Sequence, residues 1–78
     1  MIVITVDGKI YAGRNADDVL TRMREDGFLT FEKTNDQYMR FVAMKALEFE
    51  GVIVRFSDAQ TFLEDMAIND ILTITEEL

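Results

Sequence analysis

Two hydrophobic periods alternate along the chain, and the switches between them mark its elements. Ile2-Val3-Ile4-Thr5-Val6 is β-branched throughout and suits a pleated strand. Asp7-Gly8 follows, a pair favoured in type I′ turns, where both central residues need φ > 0. Lys9 to Gly13 then returns as a second strand. A two-residue loop would pair Val6 with Lys9 and Ile4 with Tyr11. One face would carry Ile2, Ile4, Val6 and Tyr11, and the other Val3, Thr5, Ile10 and Ala12. Both faces are largely apolar. One is expected to meet helices and the other to be partly covered or to sit at an interface.

The period then changes to that of a helix. Ala16, Val19, Leu20 and Met23 form a narrow stripe over residues 16–26. Asn15 is a good N-cap, and Asp17 and Asp18 sit in the first turn, where the helix dipole favours negative charge. Gly27 is expected to supply a left-handed stop. Phe28-Leu29-Thr30-Phe31 reads as an apolar connector tucked into the core, a loop or a brief strand. A second helix is predicted over residues 35–50, opened by the capping box Thr34/Gln37 and ended by Gly51. Wound at about 100° per residue, Tyr38, Met39, Val42, Ala43, Ala46, Leu47 and Phe49 fill about half its circumference.

Val52-Ile53-Val54-Arg55-Phe56 reads as a third strand, with Val52, Val54 and Phe56 on one face. Ser57 with Gln60 forms a second capping box. A third helix runs to about Ile68, with Ala59, Phe62, Leu63 and Met66 as its buried stripe. Asn69-Asp70 breaks it, and Ile71 to Thr75 can form a fourth strand. The expected class is α+β, in the order ββααβαβ, with the helices mainly on one face of a small sheet. At 78 residues this is expected to be one domain.

Composition removes whole classes of chemistry. The chain has no Cys and no His, and so no thiol nucleophile, no imidazole base and no zinc site of the usual kind. No cofactor or metal site is expected. The formal net charge of −7 opposes phosphate backbones and anionic headgroups at long range, so neither direct nucleic-acid binding nor membrane binding is expected. The apolar opening meets Asp7 too early for a signal segment, and the longest apolar runs are far below a membrane span. With no cysteine to suggest an oxidising compartment, a cytoplasmic location is expected.

The polar residues that remain have structural explanations. The pairs Asp17/Asp18, Glu64/Asp65 and Glu76/Glu77 are adjacent in sequence, so on a helix they diverge and do not converge on a substrate. Ser57 reads as a helix cap rather than a nucleophile. The glycines form no phosphate-binding loop, and Arg14, Arg22, Arg24 and Lys33 form no basic stripe. No catalytic residue is assigned, and the protein is not expected to be an enzyme.

One anomaly stands out. The polar half of the second helix holds Arg40, Lys45 and Glu48, but also Phe41 and Met44. Aromatic residues, Met and Arg are enriched at protein interfaces. Arg40, Phe41, Met44, Lys45 and Glu48 are therefore the candidate interface, with the hairpin as a second surface. The expected function is a small acidic interaction module that binds a protein partner or itself as a homodimer. Net charge favours a basic partner. The alternative is an acidic regulator of nucleic-acid-binding proteins, either an antitoxin-like neutraliser or a DNA mimic.

Overall fold

The computed structural model describes residues 1–76. Glu77, and with it half of the Glu76/Glu77 pair, lies outside the described residues. Strands β1 (Ile2–Thr5), β2 (Ile10–Ala12) and β3 (Leu72–Thr75) form one antiparallel sheet in the order β2-β1-β3. Helices α1 (Ala16–Asp26), α2 (Asn35–Lys45) and α3 (Ala59–Ile68) complete the α+β fold. A π-helical turn, Ala46–Glu50, continues α2 to Gly51, whose φ of 69° ends it.

The hairpin forms, but in a register one residue away from the expected one. Val3 lies opposite Tyr11, and Ile4 opposite Ile10. The cause is the turn. Gly8 adopts a positive φ of 88°, while Asp7 does not, so a type I′ turn is not made. A three-residue turn closes instead, with Gly8 N–H donating to Thr5 O at 3.0 Å and Thr5 N–H to Lys9 O at 2.9 Å. The Thr5 hydroxyl donates to the Asp7 carboxylate and accepts from Lys9 N–H, which holds the longer turn in place. A one-residue slip exchanges the faces of the returning strand. Tyr11 therefore shares the helix-facing side with Val3, Thr5, Leu72 and Ile74, while Ile10 joins Ile2 and Ile4 on the other.

The buried side chains form one cluster. Val3 and Leu72 from the sheet meet Val19 and Leu20 of α1, Met39 and Ala43 of α2, and Phe62 and Leu63 of α3. The stripes expected on α1 and α3 are the ones buried. The N-cap of α3 is Asp58 rather than Ser57. Its carboxylate accepts from Thr61 N–H at 2.8 Å, and Ser57 donates to it. A carboxylate also suits the positive end of the helix dipole, which a hydroxyl does less well.

Two further departures share a physical reason, the need to satisfy backbone groups at the end of α1. Gly27 is not left-handed; its φ is −86°. It is required for space, because a Cβ there would lie 2.0 Å from Thr30 Oγ1. That hydroxyl donates to Arg24 O at 2.9 Å, capping α1. The Arg24 guanidinium in turn donates to Phe31 O at 2.7 Å and Asn35 Oδ1 at 2.8 Å. The connector is thus drawn in by its polar Thr30, and Phe28 and Leu29 are left 87% and 75% exposed.

Residues 52–56 are likewise not a strand of the sheet. Arg55 N–H, which a ladder would need, donates to Asp65 Oδ2 at 2.9 Å. The sheet's third member is the C-terminal strand 72–75, as expected for a segment following Asn69-Asp70. The α3 terminus there is a Schellman closure. Ile71 N–H donates to Met66 O at 2.9 Å and Asp70 N–H to Ala67 O at 3.1 Å. It holds Asp70 at a φ of 59°, the one non-glycine residue at positive φ among the described residues.

Candidate interaction surface

The site is built on the outward side of α2. Residues four apart lie on one side of a helix, so Asp36, Arg40 and Met44 form one row and Gln37, Phe41 and Lys45 the next. The capping box expected at Thr34 is present in both directions, which sets the start and phase of these rows. Thr34 N–H donates to Gln37 Oε1 at 2.9 Å, and Gln37 N–H to Thr34 Oγ1 at 3.1 Å. The opposite side of the helix, Tyr38, Met39 and Ala43, enters the core.

Of the five residues singled out from sequence, Arg40, Met44, Lys45 and Glu48 are exposed and Phe41 is half-buried. Phe41 spans two environments. Its inner edge lines a cavity of about 310 Å³ with Tyr38, Val42 and Thr30. Its outer edge, with Arg40, Met44 and Lys33, lines a cleft of about 430 Å³. A second, smaller cleft of about 140 Å³ continues past Met44, lined by Ala43, Leu47, Ile53, Val54 and Phe56. Met44 lines both clefts, so they adjoin at its side chain, and together they make up the α2 groove.

Leu47, Ile53 and Phe56 are members that sequence reasoning missed. Leu47 and Phe49 are expected on the buried half of the helix, yet they are 56% and 69% exposed. The π-helical turn starts at Ala46, and a wider turn with i→i+5 bonding displaces every later residue from the α-helical phase. A phase of 100° per residue simply stops applying there. The outward position of Ile53 was readable from the alternation Val52-Ile53-Val54, which survives although the strand does not: Val54 is buried and Ile53 is 79% exposed. Phe56, expected on the face of Val54, is instead 43% exposed.

A clamp at Arg55 holds the far wall of the groove. Arg55 donates from Nε to Asp65 Oδ2 and from Nη2 to Asp65 Oδ1, both at 2.9 Å, in addition to its backbone bond. Three bonds from one residue stabilise the charged carboxylate and lower the Asp65 pKa to about 2, with the Arg55 side-chain bonds the largest cause. The connector carrying Ile53 and Phe56 is thereby tied to α3.

The electrostatics of the groove differ from those of the chain as a whole. Lys33 Nζ and Lys45 Nζ lie 5.0 Å and 5.2 Å from the centre of the Phe41 ring, and Arg40 Cζ lies 5.9 Å from that of Phe56. Lys45 also lies 5.2 Å from the Phe49 ring. These are cation–π distances. By contrast Arg14, Lys9 and Arg55 pair with the carboxylates of Asp18, Asp26 and Asp65.

A polar cluster lies at the edge of the hairpin. Tyr11 Oη donates to Asp26 Oδ2 at 2.7 Å, and Lys9 Nζ lies 3.6 Å from the same oxygen. Burial and the adjacent carboxylate push the Tyr11 phenol well above its ordinary pKa. A tyrosine so held is protonated and donating, which joins β2 to α1. Every buried side-chain nitrogen and oxygen among the described residues has a hydrogen-bond partner. Among those residues no group of three or more acidic side chains is placed to hold a metal ion, and no helix is long and apolar enough to cross a membrane. Comparisons of the chain with protein-family models, with curated proteins and with solved structures found no match.

Proposed function

We propose that the protein is a non-enzymatic interaction module whose α2 groove docks another protein chain, a second copy of itself included. The observation that carries this reading is the continuous exposed row Met44, Leu47, Ile53 and Phe56 beside the half-buried Phe41. Leaving such a cluster bare forgoes roughly 25 cal/mol for each Å² that burial would remove from water. Apolar clusters rimmed by polar side chains mark interaction sites. The alternative, a carboxylate-displaying regulator of nucleic-acid-binding proteins, draws less support. Four of the fifteen acids, Asp18, Asp26, Asp58 and Asp65, are engaged in hydrogen bonds to neighbouring groups of the chain.

A benzophenone photo-crosslinker at position 44, in cells producing the protein, tests the reading. The expected result is a discrete covalent adduct, absent when the crosslinker sits at the exposed position 60 on α3. An adduct of twice the chain mass identifies a second copy, and any other mass identifies a different partner. Adducts at position 44 no stronger than at position 60 would overturn it.

A further inference from the structure

We infer that the occupant of the α2 groove is an acidic, apolar segment, such as an amphipathic helix carrying Asp or Glu beside its apolar face. This rests on the docking reading above and specifies the partner's chemistry, in the direction opposite to the one net charge suggests. Residues 33–48 hold three of the chain's eight cations, Lys33, Arg40 and Lys45, against two carboxylates, Asp36 and Glu48; the whole chain holds eight against fifteen. None of those three cations has a carboxylate within 4.0 Å among the described residues. Each lies over an aromatic ring instead.

A cation over a ring keeps its capacity to pair with an incoming anion. It also needs little reordering, because the ring already restrains its long side chain. Lys33 and Arg40 line the wider cleft beside Asp36, Lys45 lies over the Phe41 ring that also lines it, and Met44, Leu47, Ile53 and Phe56 offer the apolar floor of the adjoining one. At physiological ionic strength the Debye length is about 8 Å, so a docked segment responds to these neighbours more than to the chain's total charge. The eleven residues of α2 span about 16 Å at 1.5 Å per residue. That is enough to seat about three turns of a second helix.

Two synthetic helical peptides of identical leucine pattern, one with Glu and one with Lys at every polar position, test the inference by amide chemical-shift mapping and anisotropy on the intact protein. The Glu peptide is expected to shift Arg40, Met44, Leu47 and Ile53 and to bind at least tenfold more tightly than the Lys peptide. Arg40→Glu with Lys45→Glu should reverse that preference while the circular-dichroism spectrum stays native. Both positions are exposed, and Lys33→Glu provides a second variant outside the helix should the pair fail to fold. Equal or tighter binding of the Lys peptide, binding of neither, or a preference unmoved by charge reversal would each overturn the inference. So would a stable dimer that Met44→Glu dissociates, since the occupant is then a second copy. Adducts at position 44 without the charge preference would leave the docking reading standing and remove the acidic occupant alone.

Discussion

Met39 and Met44 are the same residue type, five positions apart on the same helix, and they have opposite fates. Met39 is 3% exposed and packs in the core, whereas Met44 is 64% exposed in the groove. Helix propensity and hydrophobicity are identical at the two positions, so neither explains the difference. Five residues advance the helix by about 500°, which is 140° after one full turn, and that rotation carries Met44 from the inner face to the outer one. One methionine serves the fold, and the other is left over by it.

Truncating each in turn is the most direct way to break that contrast. Met39→Ala should cost about 2–5 kcal/mol, the range for emptying a packed core site. In a domain this small that is a large share of the total stability, and thermal or urea unfolding would show it. Met44→Ala should change stability by less than about 0.5 kcal/mol, as surface substitutions do, and should instead weaken whatever the groove docks. Comparable losses at the two positions would mean that α2 has no distinct outer face.

Acid sharpens the contrast by loosening the groove's far wall while α2 stays packed. The Asp65 carboxyl is held at about 2 by Arg55, below the roughly 3.9 of an unfolded aspartate. Between those values the unfolded chain binds more protons than the folded one. The stability contributed by the Arg55–Asp65 pair is therefore fully present above about pH 4 and is lost as the pH falls toward 2. Asp65→Asn should lower the melting temperature at neutral pH and flatten its decline over that window. Hydrogen exchange should rise at residues 53–56 before it rises in α2. An unchanged acid limb would show that another group governs it.

A small stabilising effect is expected just past the end of α3. Asp70 occupies a left-handed conformation that costs most residues roughly 1–2 kcal/mol. Part of that is offset in glycine by its larger loss of freedom on folding. Asp70→Gly should stabilise the protein by about 0.5–1 kcal/mol, read as a higher melting temperature, with binding at the groove unchanged. A destabilised variant would indicate that the Asp70 side chain supports the Schellman closure.

The elements that proved legible are those whose signal is local. Asn15 and Thr34 cap the helices they were expected to cap. The stripes Val19-Leu20-Met23 and Phe62-Leu63-Met66 enter the core because a 3.6-residue period needs no distant partner to be recognised. The same locality brought out the mixed face at Phe41 and Met44, since the exception to the pattern lies inside one helix. Two of the errors show a favoured local pattern losing to a competing bond. Asp7-Gly8 favours a two-residue turn, and the Thr5 hydroxyl supports a three-residue one. Val52–Phe56 has the β-branched composition of a strand, yet its Arg55 N–H is taken by a carboxylate ten residues away.

Residue order alone thus determined the helical phases, the class of fold and the absence of histidine and cysteine chemistry, because each depends on residue type and spacing. Tertiary structure decided the hairpin register, the outward turn of Leu47 and Phe49, and the union of Met44 with Ile53 and Phe56 in one groove. Those features depend on which of several competing donors and acceptors meet. Neither period nor composition specifies that choice, whether it is made within a turn, as at Thr5 to Lys9, or between α2 and residues 53–56.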